Sequence, residues 1–181
     1  MKLLICSDIH GDIEGARAAV RFFEEHKCDH LLILGDILYH GPRNDLPDAY
    51  APKAVIELLN KYADKIISVK GNCEAEVDGM VLDFPTDTDH VILHDGETYI
   101  YASHGHHHNM ATPPKLPRGA VLLHGHTHVQ ASVEFGNDNL YLNPGSVSLP
   151  KEGNPKTLMI YESSTFTLYD LDGNVMWVTN S

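Results

Sequence analysis

Cysteine is scarce, basic clusters are missing and no long hydrophobic run occurs. The three cysteines, Cys6, Cys28 and Cys73, are an odd number at wide spacing, which fits neither a disulfide framework nor paired zinc-ribbon ligands. A reducing compartment is the simpler expectation. The apolar N-terminal stretch Leu3–Cys6 is too short for a signal-peptide core or a membrane span, so the chain is expected to be cytoplasmic, with no membrane partner. No Lys/Arg run is present, and 25 acidic against 13 basic residues leave a formal charge of −12. A basic nucleic-acid-binding face is thereby excluded, and the acidic excess reads as a solubility device. Repeats, low-complexity tracts and linkers are also absent. With 43% hydrophobic residues, the chain is expected to form a single domain over residues 1–181 around one sizeable core.

What is present begins with alternation of element types. Lys2–Cys6, Leu31–Leu34 and Ile66–Val69 are short continuous apolar runs, as expected of strands buried on both faces. Between them, Ile13–His26 has apolar residues at helical spacing behind Asp12 as N-cap, and Pro52–Tyr62 starts with a proline suited to a first helical turn. This is a βαβαβ pattern, whose crossover rule makes the strands parallel neighbours in one sheet. The second half is hairpin-like. Val91–Leu93 and Thr98–Ala102 flank Asp95-Gly96, Ala120–Leu123 is another apolar run, Val133–Phe135 meets Leu140–Leu142 across Gly136-Asn137-Asp138, and Leu158–Tyr161, Thr165–Tyr169 and Val175–Val178 are joined by short turns. The expectation is an α/β fold: a mixed sheet packed on a mostly antiparallel one, with helices outside.

Histidine is the compositional anomaly, because seven of 13 lie between His104 and His128. Asp8-Ile9-His10 follows the first strand, Gly35-Asp36 the second and Asn72 the third; His104-Gly105 and Gly125-His126-Thr127-His128 follow two later strands. Most fragments alone are weak signals, an ordinary turn or an exposed loop histidine, while His-x-His after a buried strand is a moderately specific metal signal. Position raises their weight, since strand C-termini in α/β sheets gather on one edge, where ligands bind. Seven oxygen and nitrogen donors then converge: Asp8, His10, Asp36, Asn72, His104, His126 and His128. That is too many for one tetrahedral ion and suits two ions sharing a carboxylate, ~3.5–4 Å apart as in two-metal hydrolases. Oxygens and imidazoles without thiolates suit Mn2+, Fe, Zn2+ or Ni2+ rather than Cu(I) or an Fe–S cluster.

In order, D-x-H, G-D, G-N-C-E, H-G and G-H-x-H make the sequence resemble the calcineurin-like metallophosphoesterase superfamily. It is most similar to the small bacterial and archaeal YfcE-type phosphodiesterases, also through LGDILYHGPRN (Leu34–Asn44) and NPGSVSLPKEGNP (Asn143–Pro155). The resemblance implies a four-layered α/β/β/α sandwich and two divalent ions, with manganese the usual activator. One ion would take Asp8, His10, Asp36 and His128; the other would take Asp36, Asn72, His104 and His126, with Asp36 bridging.

It further implies phosphodiester hydrolysis by in-line attack of a metal-bridging hydroxide on a small-molecule substrate. The catalytic set is Asp36, Asn72, Cys73 and His104. Arg43, Asn44, Cys73 and His106 are candidate substrate contacts, although a loop salt bridge accounts equally well for Arg43 and Asn44. Cys73 stands where many larger relatives carry a phosphate-contacting histidine, and a small buried residue without chemistry is its bland alternative. His107 and His108 fall outside the pattern and read as an exposed loop pair. The alternatives to a phosphodiesterase are a broad phosphomonoesterase and a non-catalytic protein-binding scaffold of this fold, for which the retromer subunit is the precedent. Exposed hairpin edges leave a homo-oligomer open.

Overall fold

A computed structural model describes residues 1–181. In chain order the elements are β1 (Lys2–Cys6), α1 (Ile13–Glu25), β2 (His30–Ile33), α2 (Pro52–Leu59, extended by a 3-10 segment Asn60–Lys65), β3 (Ile66–Ser68), α3 (Asp78–Val81), β4 (His90–Asp95) and β5 (Thr98–Ser103). β6 (Val121–His124), β7 (Ala131–Phe135), β8 (Asn139–Asn143), β9 (Thr157–Glu162), β10 (Thr165–Asp170) and β11 (Val175–Asn180) complete the chain. No helix is long and apolar enough to cross a membrane.

Two sheets form, with strand orders β11-β10-β9-β1-β2-β3 and β4-β5-β6-β8-β7. β1, β2 and β3 pair in parallel as the βαβαβ pattern requires, while β9, β10 and β11 extend the same sheet with antiparallel pairings. The second sheet departs from the mostly antiparallel expectation. Its edge pairs β4–β5 and β7–β8 are antiparallel hairpins, but its centre, β5–β6–β8, is parallel.

Period-two alternation explains why the first strands read as unbroken apolar runs. Leu4, Cys6, Leu31 and Ile33 face α1 and α2, packing with Ala16, Ala19, Val20, Phe22, Val55 and Leu59. Leu3, Ile5, Leu32 and Leu34 face the other way, into a core shared with Ile100, Ala102, Val121, Leu123 and Leu142 of the second sheet. Truncating one of these fully buried leucines to alanine is expected to cost about 2–5 kcal/mol. α1 is started by Asp12, whose Oδ1 accepts from Glu14 N at 2.9 Å and Gly15 N at 3.3 Å. The fourth layer is not helical: Tyr101, Leu122 and Tyr141 on the outer face of the second sheet pack against Leu116 of the loop between β5 and β6.

Parallel strands bring their C-terminal ends to the same edge of a sheet. The loops after β1, β2 and β3 carry Asp8, Asp36 and Asn72, and those after β5 and β6 carry His104, His126 and His128. The parallel centre of the second sheet is what lets its histidines meet the carboxylates of the first.

Candidate metal centre

All seven candidate donors come together at this edge. Asp8 and His104 are fully buried, and His10, Asp36 and His128 nearly so. Five of the seven, Asp8, His10, Asp36, His126 and His128, have positive φ angles between 50° and 68°. For residues with a Cβ the left-handed region costs of order 1–2 kcal/mol each. Strain gathered on the polar groups of one edge marks a functional constraint.

The imidazoles are oriented by backbone carbonyls. Nδ1 of His10 donates to Tyr39 O at 2.7 Å, Nδ1 of His104 to Leu34 O at 2.6 Å and Nδ1 of His128 to Leu149 O at 2.5 Å. A carbonyl only accepts, so each Nδ1 carries the proton and each Nε2 lone pair faces inward. There the acceptors crowd one another. His10 Nε2 lies 3.3 Å from His128 Nε2, and these atoms lie 3.6 and 3.3 Å from Asp8 Oδ1. Asp8 Oδ1 is buried and has no hydrogen-bond partner; its Oδ2 is occupied by Ser7 Oγ at 2.7 Å and His126 N at 3.0 Å. In the second group His104 Nε2 lies 3.1 Å from Asn72 Oδ1 and 3.2 Å from His126 Nδ1. Asp36 Oδ2 sits between the groups, 3.7 Å from His10 Nε2 and 3.4 Å from His104 Nε2.

Lone pairs converging in a buried space repel unless a cation sits among them. The arrangement therefore fits divalent ions, with Asp8, His10 and His128 forming one close group and Asp8, Asp36 and His104 another. Without them, protons serve partly. Burial opposes a charged His104, but Asp36 and Asp8 overcome this and raise its pKa to about 9. Burial likewise opposes a charged Asp8, yet His10 and His128 hold its carboxyl well below the usual range.

The supports were less visible in the sequence. Glu74 accepts from Asp36 N at 3.0 Å, Ile37 N at 2.6 Å and Gly71 N; it clamps the turn that carries Asp36 to the loop after β3. Burial and Asp36 push its pKa to about 7 against those three donors. Asn143 donates to Gly125 O at 2.9 Å and Thr127 Oγ1 at 3.0 Å, bracing the loop of His126 and His128, and Ser146 Oγ donates to Asp8 O at 2.8 Å. Gly125 is required sterically, because a Cβ there would lie 2.7 Å from Asp8 Oδ2 and from Ser7 Cβ.

A cavity of about 320 Å³ opens over the centre, and Arg43, Asn44 and Cys73 line it. Asn44 also donates to His40 O at 2.8 Å. His106 does not line this cavity; its half-buried ring packs 5.4 Å from that of His104. His107 and His108 are exposed. Two features escaped the sequence. Lys151 lines the cavity, and Cys73 Sγ groups with His10 and Asp36, all donor atoms within 4.8 Å of one another, so the donor set is not wholly free of sulfur. Burial and Asp36 raise the thiol to about 12.

Residues 1–165 match the calcineurin-like phosphoesterase superfamily domain. The chain belongs to this superfamily. Among its members, the chain is 40% identical over 174 residues to the phosphodiesterase YfcE of Escherichia coli K12, covering 95% of this chain and 93% of that protein. The solved structure of YfcE, described as a phosphoesterase, superposes with a TM-score of 0.96 at 38% identity over 99% of each chain. Vps29 of Entamoeba histolytica, at 21% identity, TM-score 0.60 and coverage of 100% and 99%, shares the fold alone. The metallophosphoesterase fold, two mixed sheets in an α/β architecture, is thus shown.

Proposed function

We propose that this calcineurin-like phosphoesterase is a phosphodiesterase whose centre holds two divalent ions, Mn2+ foremost, bridged by Asp36. The observation that carries the reading is the buried Asp8 Oδ1, which has no hydrogen-bond partner and faces the Nε2 atoms of His10 and His128. When bound, the ions would supply Lewis-acid polarisation of the phosphoryl oxygens and an activated water for in-line attack on phosphorus.

The chain's own residues do the rest. His10, His104 and His128 are locked as Nε2 donors by their carbonyl partners, and Ser7 with His126 N turns Asp8 Oδ1 toward the centre. Arg43 and Asn44 border the space for non-bridging oxygens. Cys73 presents a neutral thiol to the same cavity, accepting from Asn72 Nδ2 at 3.2 Å. A thiol adds no positive charge to a leaving oxygen, which favours diesters with good leaving groups over monoesters. Retention of every candidate ligand argues against a scaffold role.

The reading extends to one domain over residues 1–181 in the cytoplasm, acting on a small-molecule phosphodiester. Edge strand β11 exposes Val175, Met176 and Val178, a surface through which a homo-oligomer would form. Hydrolysis of bis(p-nitrophenyl) phosphate tests the activity. Turnover that rises with Mn2+ and vanishes in chelator is expected; metal-replete protein inert toward every phosphoester would refute it.

A further inference from the structure

The cavity over the centre is lined by 11 residues, among which Pro42 and Cys73 are the least polar. No phenylalanine, tyrosine or tryptophan is among them, and its two imidazoles, His126 and His128, belong to the candidate donor set, so the lining offers no apolar wall for a greasy ester arm. Two cations reach the cavity from different loops, Arg43 and Lys151, and the single acid lining it is Asp36, already engaged with the histidines of the centre. In a chain with 25 acidic residues, neither cation is ion-paired. The lysine and arginine side chains that are paired are Lys2, Arg17, Lys65, Arg118 and Lys156.

Lys151 starts from a fixed point beside a candidate ligand. Its backbone N–H donates to His128 O at 3.2 Å. Its carbonyl accepts from Asn154 N at 3.1 Å and Asn154 Nδ2 at 2.9 Å, and Asn154 is itself held by Gln130 Nε2 at 3.0 Å. An anchored backbone with an exposed, unpaired ammonium on a flexible stem suits a group that varies in position, such as the far end of an ester arm. Charge balance points the same way. A diester phosphate carries one negative charge, which a dinuclear centre and Arg43 already more than match. The ammonium of Lys151 is surplus to the scissile phosphate.

We infer that the site takes a phosphodiester one of whose ester arms carries a further anionic group, a carboxylate or phosphate, and that Lys151 holds this group. The inference rests on the phosphodiesterase reading and narrows its substrate class.

Three p-nitrophenyl phosphodiesters with the same leaving group test it, their other arms being glycerol, glycerate and glycerol phosphate. With Mn2+-loaded protein at low salt, kcat/KM for the two charged esters is expected to exceed that for the glycerol ester by about fivefold, mostly in KM. Added salt weakens the preference. Lys151→Gln brings the ratio near one, and Lys151→Arg keeps it. Preference for one charged ester alone assigns the group as carboxylate or as phosphate. Equal turnover of all three by the natural protein, or a preference that survives Lys151→Gln, overturns the inference. Calorimetric binding of the matching phosphonates, which are not cleaved, reads the same ratio without turnover. Absent hydrolysis with a fivefold binding preference would remove the phosphodiesterase reading and leave the anionic subsite standing; equal binding would remove the subsite.

Discussion

Asp36→Asn removes one charge and almost no volume from the point where the two donor groups meet. Asp36 Oδ1 accepts Cys73 N at 2.9 Å, a bond that an asparagine carbonyl retains. The change falls on Oδ2, which lies 3.4 Å from His104 Nε2 and 3.7 Å from His10 Nε2. At an effective dielectric of 20, a unit charge about 4 Å away contributes about 4 kcal/mol for each unit of charge on a cation, on the order of a thousandfold in affinity. Because one oxygen serves both groups, both ions should weaken by at least that factor. The metal-free variant should unfold in urea within about 1 kcal/mol of the natural protein, since losing one of two neighbouring buried carboxylates offsets the lost interaction with His104. Competition titration against a chromophoric chelator reads the affinities. A variant that loses one ion and keeps the other at its natural affinity would refute the shared-carboxylate assignment.

Other perturbations address the supports. Gly71 has an ordinary φ, but an alanine Cβ there would lie 2.5 Å from Asp36 N and 2.6 Å from Glu74 Oε2. Gly71→Ala should therefore cost about 1–3 kcal/mol in urea unfolding and weaken metal binding at least tenfold; natural values for both would contradict the packing. Cys73→His should shift preference from diesters toward monoesters, measured as the ratio of kcat/KM for bis(p-nitrophenyl) phosphate and p-nitrophenyl phosphate, and an unchanged ratio would return Cys73 to a filler role. In chelator-treated protein, His104 with its pKa raised to about 9 contributes stability that is complete below about pH 6.5 and lost as the pH rises through 9. Urea midpoints at pH 6 and pH 10 should fall in that order, and a higher midpoint at pH 10 would contradict the His104–Asp36 pairing.

The first sheet was readable because its strands are buried on both faces and joined by helices with local signals, the Asp12 cap and the Pro52 start. The parallel centre of the second sheet was not. Hairpin turns announce themselves in two or three residues, whereas β5, β6 and β8 are joined through long loops and an intervening edge strand that leave no local trace. α3 escaped for a related reason, being a single turn, Asp78–Val81, too short for periodicity. The seven donors were legible from their positions after strands. Their strained backbone was not, since Asp8 and His126 carry no mark of a positive φ in their side chains. Lys151 lay in a stretch noted for its resemblance, but its exposure to the cavity depends on where the chain turns after Leu149, and the nearness of Cys73 Sγ to His10 depends on how the loops after β3 and β1 meet.

Metal stoichiometry measured alongside turnover tests the account most directly. Chelator-stripped protein titrated with Mn2+ should bind two ions per chain, and hydrolysis of bis(p-nitrophenyl) phosphate should rise with occupancy of the second. Saturation at one ion with full activity, or undiminished activity in the stripped protein, would contradict it.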